Sequence, residues 1–342
     1  FVAAAVAAPI AGRVVERVGA GIALRTGVFV AGTGAAVIGA FANGWWQLAA
    51  PMAVVGLAVA MIDTGSARAF ADRVPARAQG FAFGIKEASI PGASMLAGLS
   101  LPTVAAVLGW RASFVAATVV AAVVFVLLPR PAAFRRDPGV PREDAVPPPV
   151  GRVASAPVVR FAAGIGVGTG AATSAVTFLV PSTVRSGIDP SVAGIVLSVA
   201  SIGSIVARVG VGWWADREGA APVPAAAAML GAGAAASLVV ASTPALGVLV
   251  PAAIVLLGAG WGWTGLAFLA VVRANPSAPA AAAGVVLTGL GLGGALGPLA
   301  FGALVDRGSY ALAWTVAAAA LAVGAVLAAS ARRALAPVPR AP

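Results

Sequence analysis

Charged positions in this chain are gathered into short islands, and the intervals between them are long and apolar. No Asp, Glu, Lys or Arg occurs from Thr26 to Ile62, from Ala88 to Trp110, from Ala112 to Pro129 or from Phe161 to Val184. The same holds from Pro190 to Ala207, from Gly219 to Val272, from Ala274 to Val305 and from Gly308 to Ala331. A hydrocarbon layer about 30 Å thick is crossed by about 20 residues rising about 1.5 Å each. Each interval therefore holds one or two membrane-spanning helices. Asn43-Gly44 and Thr243-Pro244 are turn signals that divide the two longest intervals. Complete helices are expected over 26–42, 45–62, 79–106, 110–129, 157–184, 190–215, 220–242, 245–272, 277–305 and 308–331.

The first 11 residues, Phe1 to Ala11, are apolar but only half a span, and they lack the basic flank of a signal peptide. They are read as the end of a helix that begins upstream of Phe1. Composition agrees with a bilayer solvent, at 60% apolar and 10% charged residues, against about a quarter charged in soluble domains. The absence of Cys and His removes disulfides, thiolate metal sites and imidazole proton shuttles. No cofactor and no metal is expected. Arg in place of Lys, with abundant Ala, Gly and Pro, suggests the codon usage of a GC-rich genome.

The net charge of +11 is distributed as the positive-inside rule requires and is not a nucleic-acid patch. Eighteen arginines, from Arg13 through Arg208 and Arg273 to Arg340, fall in loops of one side, and only Arg111, Arg185 and Arg307 fall on the other. The C-terminus is thereby assigned to the cytoplasm. A Pro- and Arg-rich stretch over 130–156 reads as a cytoplasmic linker between an N-terminal helical half (1–129) and a C-terminal six-helix half (157–332), with 333–342 as a cytoplasmic tail. The halves repeat. Gly12-x-x-x-Glu16-Arg17-x-Gly19 recurs 200 residues later as Gly212-x-x-x-Asp216-Arg217-x-Gly219, and Gly92, Gly98 and Gly109 recur at nearly the same offset as Gly291, Gly297 and Gly308. If each half holds six helices, the first helix and part of the second precede Phe1.

These residues resemble the major facilitator superfamily, whose signature between the second and third helices of each half is Gly-x-x-x-Asp-Arg-x-Gly. The segment Gly84-Ile85-Lys86-Glu87 with Pro91, Pro102 and Gly109-Trp110-Arg111, and the final Gly297-Pro298 to Trp314, are similar to bacterial members. The resemblance implies an all-α, twelve-helix fold of two pseudo-repeated halves. It implies a monomeric secondary transporter in the cytoplasmic membrane, moving a small-molecule substrate between the halves by alternating access, with the proton as the expected partner ion. The alternative is a non-transporting receptor or scaffold on the same fold. The signature residues Gly12, Glu16, Arg17, Gly19, Arg208, Gly212, Asp216, Arg217 and Gly219 are then the expected gate. Physically, a carboxylate there can face a helix N-terminus and an Arg can bridge to it.

No enzyme is expected. Gly289-x-Gly291-x-x-Gly294 fits a dinucleotide fingerprint, but it lies inside an apolar helix without a preceding strand. Ionisable residues within spans are the functional candidates. Asp63 is placed near the cytoplasmic end of its helix, with Lys86 and Glu87 about two turns into the next. Adjacent helical residues diverge by about 100°, so Lys86 and Glu87 are not expected to share one cavity, and Asp63 is the natural partner of Lys86. Relatives carry Gln where Glu87 stands, so the resemblance makes Lys86 the stronger candidate. Trp261, Trp263 and Thr264 beside Gly258 and Gly260 suggest a cavity wall in mid-span, and Thr173 and Thr177 offer hydroxyls at helical spacing, with back-bonding to their own helix as the plainer role.

Overall fold

The computed structural model describes residues 1–100, 106–134, 155–242 and 245–335. The described residues are helical throughout, joined by short turns, with no strand among them. The first half comprises α1 (Val2–Val18), α2 (Ala20–Phe41), α3 (Trp45–Arg73), α4 (Gln79–Ser100) and α5 (Trp110–Leu127), with one extra helical turn at Ala106–Leu108. The second half comprises α6 (Ala156–Arg185), α7 (Pro190–Trp214), α8 (Pro222–Ala241), α9 (Leu246–Gly258), α10 (Thr264–Ala274), α11 (Pro279–Arg307) and α12 (Tyr310–Ser330). The fold is all-α. Most of the linker and of the C-terminal tail lies outside the described residues.

Local chemistry sets the helix starts. Pro stands in the first turn of α6, α7, α8 and α11, where its missing N–H costs no hydrogen bond. Asp189 caps α7 by accepting the Ser191 amide at 2.8 Å, and these hydrogen bonds hold its carboxyl below the usual carboxylate range. Ser309 caps α12 through the Leu312 amide. Between α3 and α4, Pro75 forces Val74 into extended backbone, and the Gln79 side chain donates to the Val74 carbonyl at 3.1 Å. The turn is short enough to bring the start of α4 beneath the second half.

The structure corrects three expectations. First, α1 does not end at Ala11 but continues to Val18, so Gly12, Glu16 and Arg17 are helical; the apolar count stops where headgroups begin, while the helix continues past them. Second, α3 runs to Arg73, which places Asp63 about 15 Å from the helix end by the rise per residue and not near it. Third, the span expected over 245–272 is two helices, interrupted by turns at residues 259–263. Gly258, Gly260 and Gly262 lower the cost of that break.

The two halves meet along two helix pairs related by the internal repeat. In one pair, α1 packs on α11: a Cβ at Gly12 would stand 2.6 Å from the Ala280 carbonyl oxygen, and a Cβ at Gly284 would meet the Ala8 carbonyl oxygen. In the other, α4 packs on α7: a Cβ at Gly84 would stand 2.6 Å from the Arg208 carbonyl oxygen, and a Cβ at Gly212 would meet that of Gly80. These glycines allow backbone-to-backbone approach of the kind used between membrane helices. By contrast α5 buries none of its residues, and large apolar side chains along it, such as Val119, Val126 and Leu127, face outward as lipid would require.

Candidate functional site

At the same end of both helix pairs, a carboxylate from one half caps a helix of the other. Asp216 accepts the backbone amides of Gly80 at 2.7 Å and Phe81 at 2.8 Å, at the start of α4. Its counterpart Glu16 accepts the amide of Ala280 at 2.7 Å, in the first turn of α11. The first amides of a helix have no partner within it and carry the positive end of its dipole, so a buried carboxylate there is stabilising. Glu16 is 8% exposed, which strengthens the interaction by excluding water.

The arginines that bridge to these carboxylates are not those of the repeated motif. Arg273 pairs with Asp216 at 3.1 Å while also donating to the carbonyls of Ala76 at 2.6 Å and Ala215 at 3.2 Å. Arg68 pairs with Glu16 and, at 2.7 Å, with Asp72. Arg217 follows the carboxylate by one position and lies over the Trp213 ring at 4.1 Å. The glycines that close the motifs have a backbone reason: Gly19 adopts φ 86°, ψ 160°, and Gly219 adopts φ 76°, a region that side chains strongly disfavour.

About two turns deeper along α4 lies a cluster of four charges. Lys86 Nζ is 2.6 Å from Asp63 Oδ1 and 2.8 Å from Glu87 Oε1, and it sits over the Phe268 ring at 4.3 Å. Asp63 meets Lys86 as expected. Glu87 also reaches it, against expectation, because a flexible four-carbon stem can turn back along its own helix where two rigid side chains could not. Glu87 is only 2% exposed and stands beside Thr264 of α10 and in the field of Arg208 of α7. The carboxylate therefore faces both halves.

Arg208 lies within the span expected over 190–215 and stands near this cluster, deeper than the motif carboxylate Asp216. It lies about 9 Å inside α7 by helical rise and is 1% exposed. Its guanidinium donates to Ser204 Oγ and, at 2.9 Å, to the Trp261 carbonyl, and it lies over the Trp261 ring. Among the described residues its Nε has no hydrogen-bond partner. Between the cluster and the capped helix ends, Phe83 stacks on Phe268 with centroids 6.2 Å apart and meets Phe70 edge-on at 5.1 Å.

The remaining sequence candidates lie elsewhere. Thr173 and Thr177 donate back to their own helix at Thr169 and Thr173. Trp263 is fully buried and donates its indole N–H to the Gly260 carbonyl at 2.7 Å, bracing the break between α9 and α10. An apolar cleft of about 400 Å³ lies between α6, α11 and α12, lined by residues such as Val167, Leu296 and Val316; it holds none of the charged groups. The functional neighbours that sequence reading did not single out are Arg68, Asp72, Arg273, Phe83 and Phe268. Arg68 and Arg273 each stand near the end of a helix that leads into a Pro-containing cytoplasmic turn, a signal that was available.

A family model described as Major Facilitator Superfamily matches residues 1–286 and 187–342. Among solved structures, FucP, a transporter in the outward conformation, is 16% identical over 95% of this chain and 86% of its own, with a TM-score of 0.75. The human organic anion transporter MFSD10 (TETRAN) is 17% identical over 96% of this chain and 81% of its own, with a TM-score of 0.71. The proton:xylose symporter XylE is 12% identical over 95% and 82%, with a TM-score of 0.70. At such identities the likeness is one of fold. A comparison with curated proteins finds no match.

Proposed function

Because this chain belongs to the major facilitator superfamily, we propose that it is a secondary active transporter that moves a small organic solute with protons across a bacterial cytoplasmic membrane by alternating access. The observation that carries this reading is the charge cluster contributed by both halves, Asp63, Lys86 and Glu87 from one and Arg208 from the other. Ionisable side chains at such depth are costly to hold in a membrane unless they are used, and a site shared between the halves changes whenever the halves rock. Two structural neighbours named as proton symporters support the choice of ion.

In this reading the structure is closed at its cytoplasmic end. The Asp216 and Glu16 caps and the Phe70, Phe83 and Phe268 rings form the inner barrier, and Lys86 and Asp63 keep 16% and 21% of their side-chain surface exposed as the accessible edge of the site. Opening inward breaks both caps together. The test is proton flux in proteoliposomes under an imposed pH gradient, with sugars, organic acids and cationic drugs added in turn. Solute-dependent dissipation of the gradient is expected for one class. No dissipation by any class, with cysteine labelling fixed to one face, would establish a non-transporting protein.

A further inference from the structure

We propose that the cleft between α6, α11 and α12 binds one anionic phospholipid, with an acyl chain lying in the cleft and the phosphate held by Arg160, Arg332 and Arg333. The site is separate from the charge cluster and stands whether or not the chain transports. Its origin is in the sequence. α6 and α11 cross through glycines: a Cβ at Gly166 would stand 2.8 Å from the Gly289 carbonyl oxygen, and one at Gly170 would stand 3.2 Å from that of Gly293. α12 presents Ala313, Ala317 and Ala320 to the same place. Side chains this small let helices approach but leave the furrow beside the crossing unfilled.

The lining decides what can occupy the furrow. Ser174 carries the one polar side chain around it, and its hydroxyl donates to the Gly170 carbonyl of its own helix at 2.7 Å. A polar solute would lose its hydration there without gaining a partner, whereas hydrocarbon would not. The rim is made of exposed Leu292, Leu296 and Val316, so the cleft opens to lipid and not to an aqueous vestibule. From Ala163 to Ser174 the α6 wall runs about 17 Å by helical rise. One leaflet contributes about 15 Å to the hydrocarbon layer, so the wall is the length of one acyl chain in place.

Charge selects the headgroup. Arg160 precedes Ala163 and Val167 by one and two turns and so stands on the cleft face of α6, at the end of the wall. The same end of α12 is adjacent, since a Cβ at Gly164 would stand 2.7 Å from the Leu327 Cβ and 3.1 Å from the Ala328 amide nitrogen. Arg332 and Arg333 follow one turn later, and their turn is fixed because Ala331 and Leu335 on either side are buried. All three arginines are exposed. Among the described residues none of their guanidinium groups has an ion-pair or hydrogen-bond partner, and neither α6 nor α12 contains an Asp or Glu. Ser155 does not cap α6 with its side chain, so the first amides of that helix add positive potential at the same end. Unpaired guanidinium groups at the membrane surface, beside a furrow that takes a chain, favour a lipid of net negative charge over a zwitterionic one.

The test uses the full chain in phosphatidylcholine nanodiscs holding a small fraction of a photoactivatable lipid, with a diazirine on one acyl chain and either a phosphatidylglycerol or a phosphatidylcholine head. Mass spectrometry locates the crosslinked peptides. The phosphatidylglycerol probe is expected to label the cleft, at Val167, Leu296 or Val316, about tenfold or more above the phosphatidylcholine probe. The outward face of α5, at Val119 and Val126, serves as control and should be labelled equally by both. Replacing the three arginines together, as Arg160→Gln, Arg332→Gln and Arg333→Gln, should lower cleft labelling by the anionic probe to the zwitterionic level and leave α5 unchanged. Ala320→Phe, which fills the cleft from α12, should abolish cleft labelling with the arginines intact. Glycerol phosphate in solution, a headgroup without a chain, should not compete. Equal labelling of the cleft by the two probes, a preference that survives loss of the arginines, or competition by glycerol phosphate overturns the proposal. Should a variant fail to insert, the two probes on the native chain decide the matter by themselves.

Discussion

Asp216 accepts the Gly80 amide at 2.7 Å, and its counterpart Glu16, 200 residues earlier, accepts the amide of Ala280, 200 residues later than Gly80. The repeat in sequence thus becomes a pseudo-twofold pair of contacts across the interface between halves. Each joins a carboxylate to the positive end of a helix that belongs to the other half. Neither contact can survive a rocking motion that separates these cytoplasmic ends.

Asp216→Asn is expected to shift the protein toward an inward-open state. The neutral amide loses the charge interaction with both the α4 terminus and Arg273, worth about 1–2 kcal/mol for a partly buried geometry. That corresponds to a population change of about 5- to 30-fold. The chain has no native Cys, so a single cysteine at buried Thr264 can report by its labelling rate from the cytoplasmic side. An unchanged rate would reduce the contact to a structural cap.

Gly212→Val is expected to act in the same direction by a different force. A Cβ at that position meets the Gly80 carbonyl oxygen and lies 3.0 Å from the Gly84 Cα, so the side chain wedges α7 away from α4. Backbone cannot yield as a flexible side chain would. Combined with Asp216→Asn, the effect should be less than additive because both act on one contact; combined with Glu16→Gln, it should be nearly additive. Labelling of the same reporter cysteine distinguishes the two patterns.

The span pattern was legible because bilayer thickness writes itself into the intervals between charges, and α2 to α12 follow those intervals. The helix-capping carboxylates were legible because the internal repeat singles out Glu16 and Asp216. Their arginines were not: Arg68 and Arg273 reach the carboxylates across turns whose geometry is set by tertiary packing, while motif neighbour Arg217 turns to Trp213. Arg208 was placed in its helix, but its partners were not legible. Its burial depends on Ser204, the Trp261 carbonyl and the Trp261 ring, the last two 53 residues away.

Phe83→Ala is expected to loosen the inner barrier. Phe83 is fully buried between Phe70 and Phe268, and truncating such a ring costs about 3–5 kcal/mol when the cavity cannot collapse. Phe268 would lose its stacking partner, and with it the surface that holds Lys86. A rise in solute-independent proton leak in proteoliposomes, together with a lower unfolding temperature, is the expected pair of readouts. A lower unfolding temperature without leak would make the ring a packing element only.

Lys86→Ala is expected to be the most damaging single change in the cluster. Lys86 lies between two carboxylates, at 2.6 Å from Asp63 and 2.8 Å from Glu87, and its removal leaves both to repel one another in a site that excludes most water. Breaking a buried pair costs about 3–5 kcal/mol, and here two pairs break at once. A simple Lys86–Asp63 bridge would be restored by Lys86→Ala with Asp63→Ala, since both charges are then gone. The geometry gives a different outcome: the double variant should recover only part of the loss, because Glu87 still needs a cation and keeps only Arg208. Adding Glu87→Gln to the pair removes the second carboxylate, which should further raise stability while leaving Arg208 unbalanced. Unfolding temperatures of the single, double and triple variants in one detergent, combined as a mutant cycle, check the order. Full recovery by the double variant would show that Glu87 makes no energetic demand on Lys86 and would separate it from the cluster.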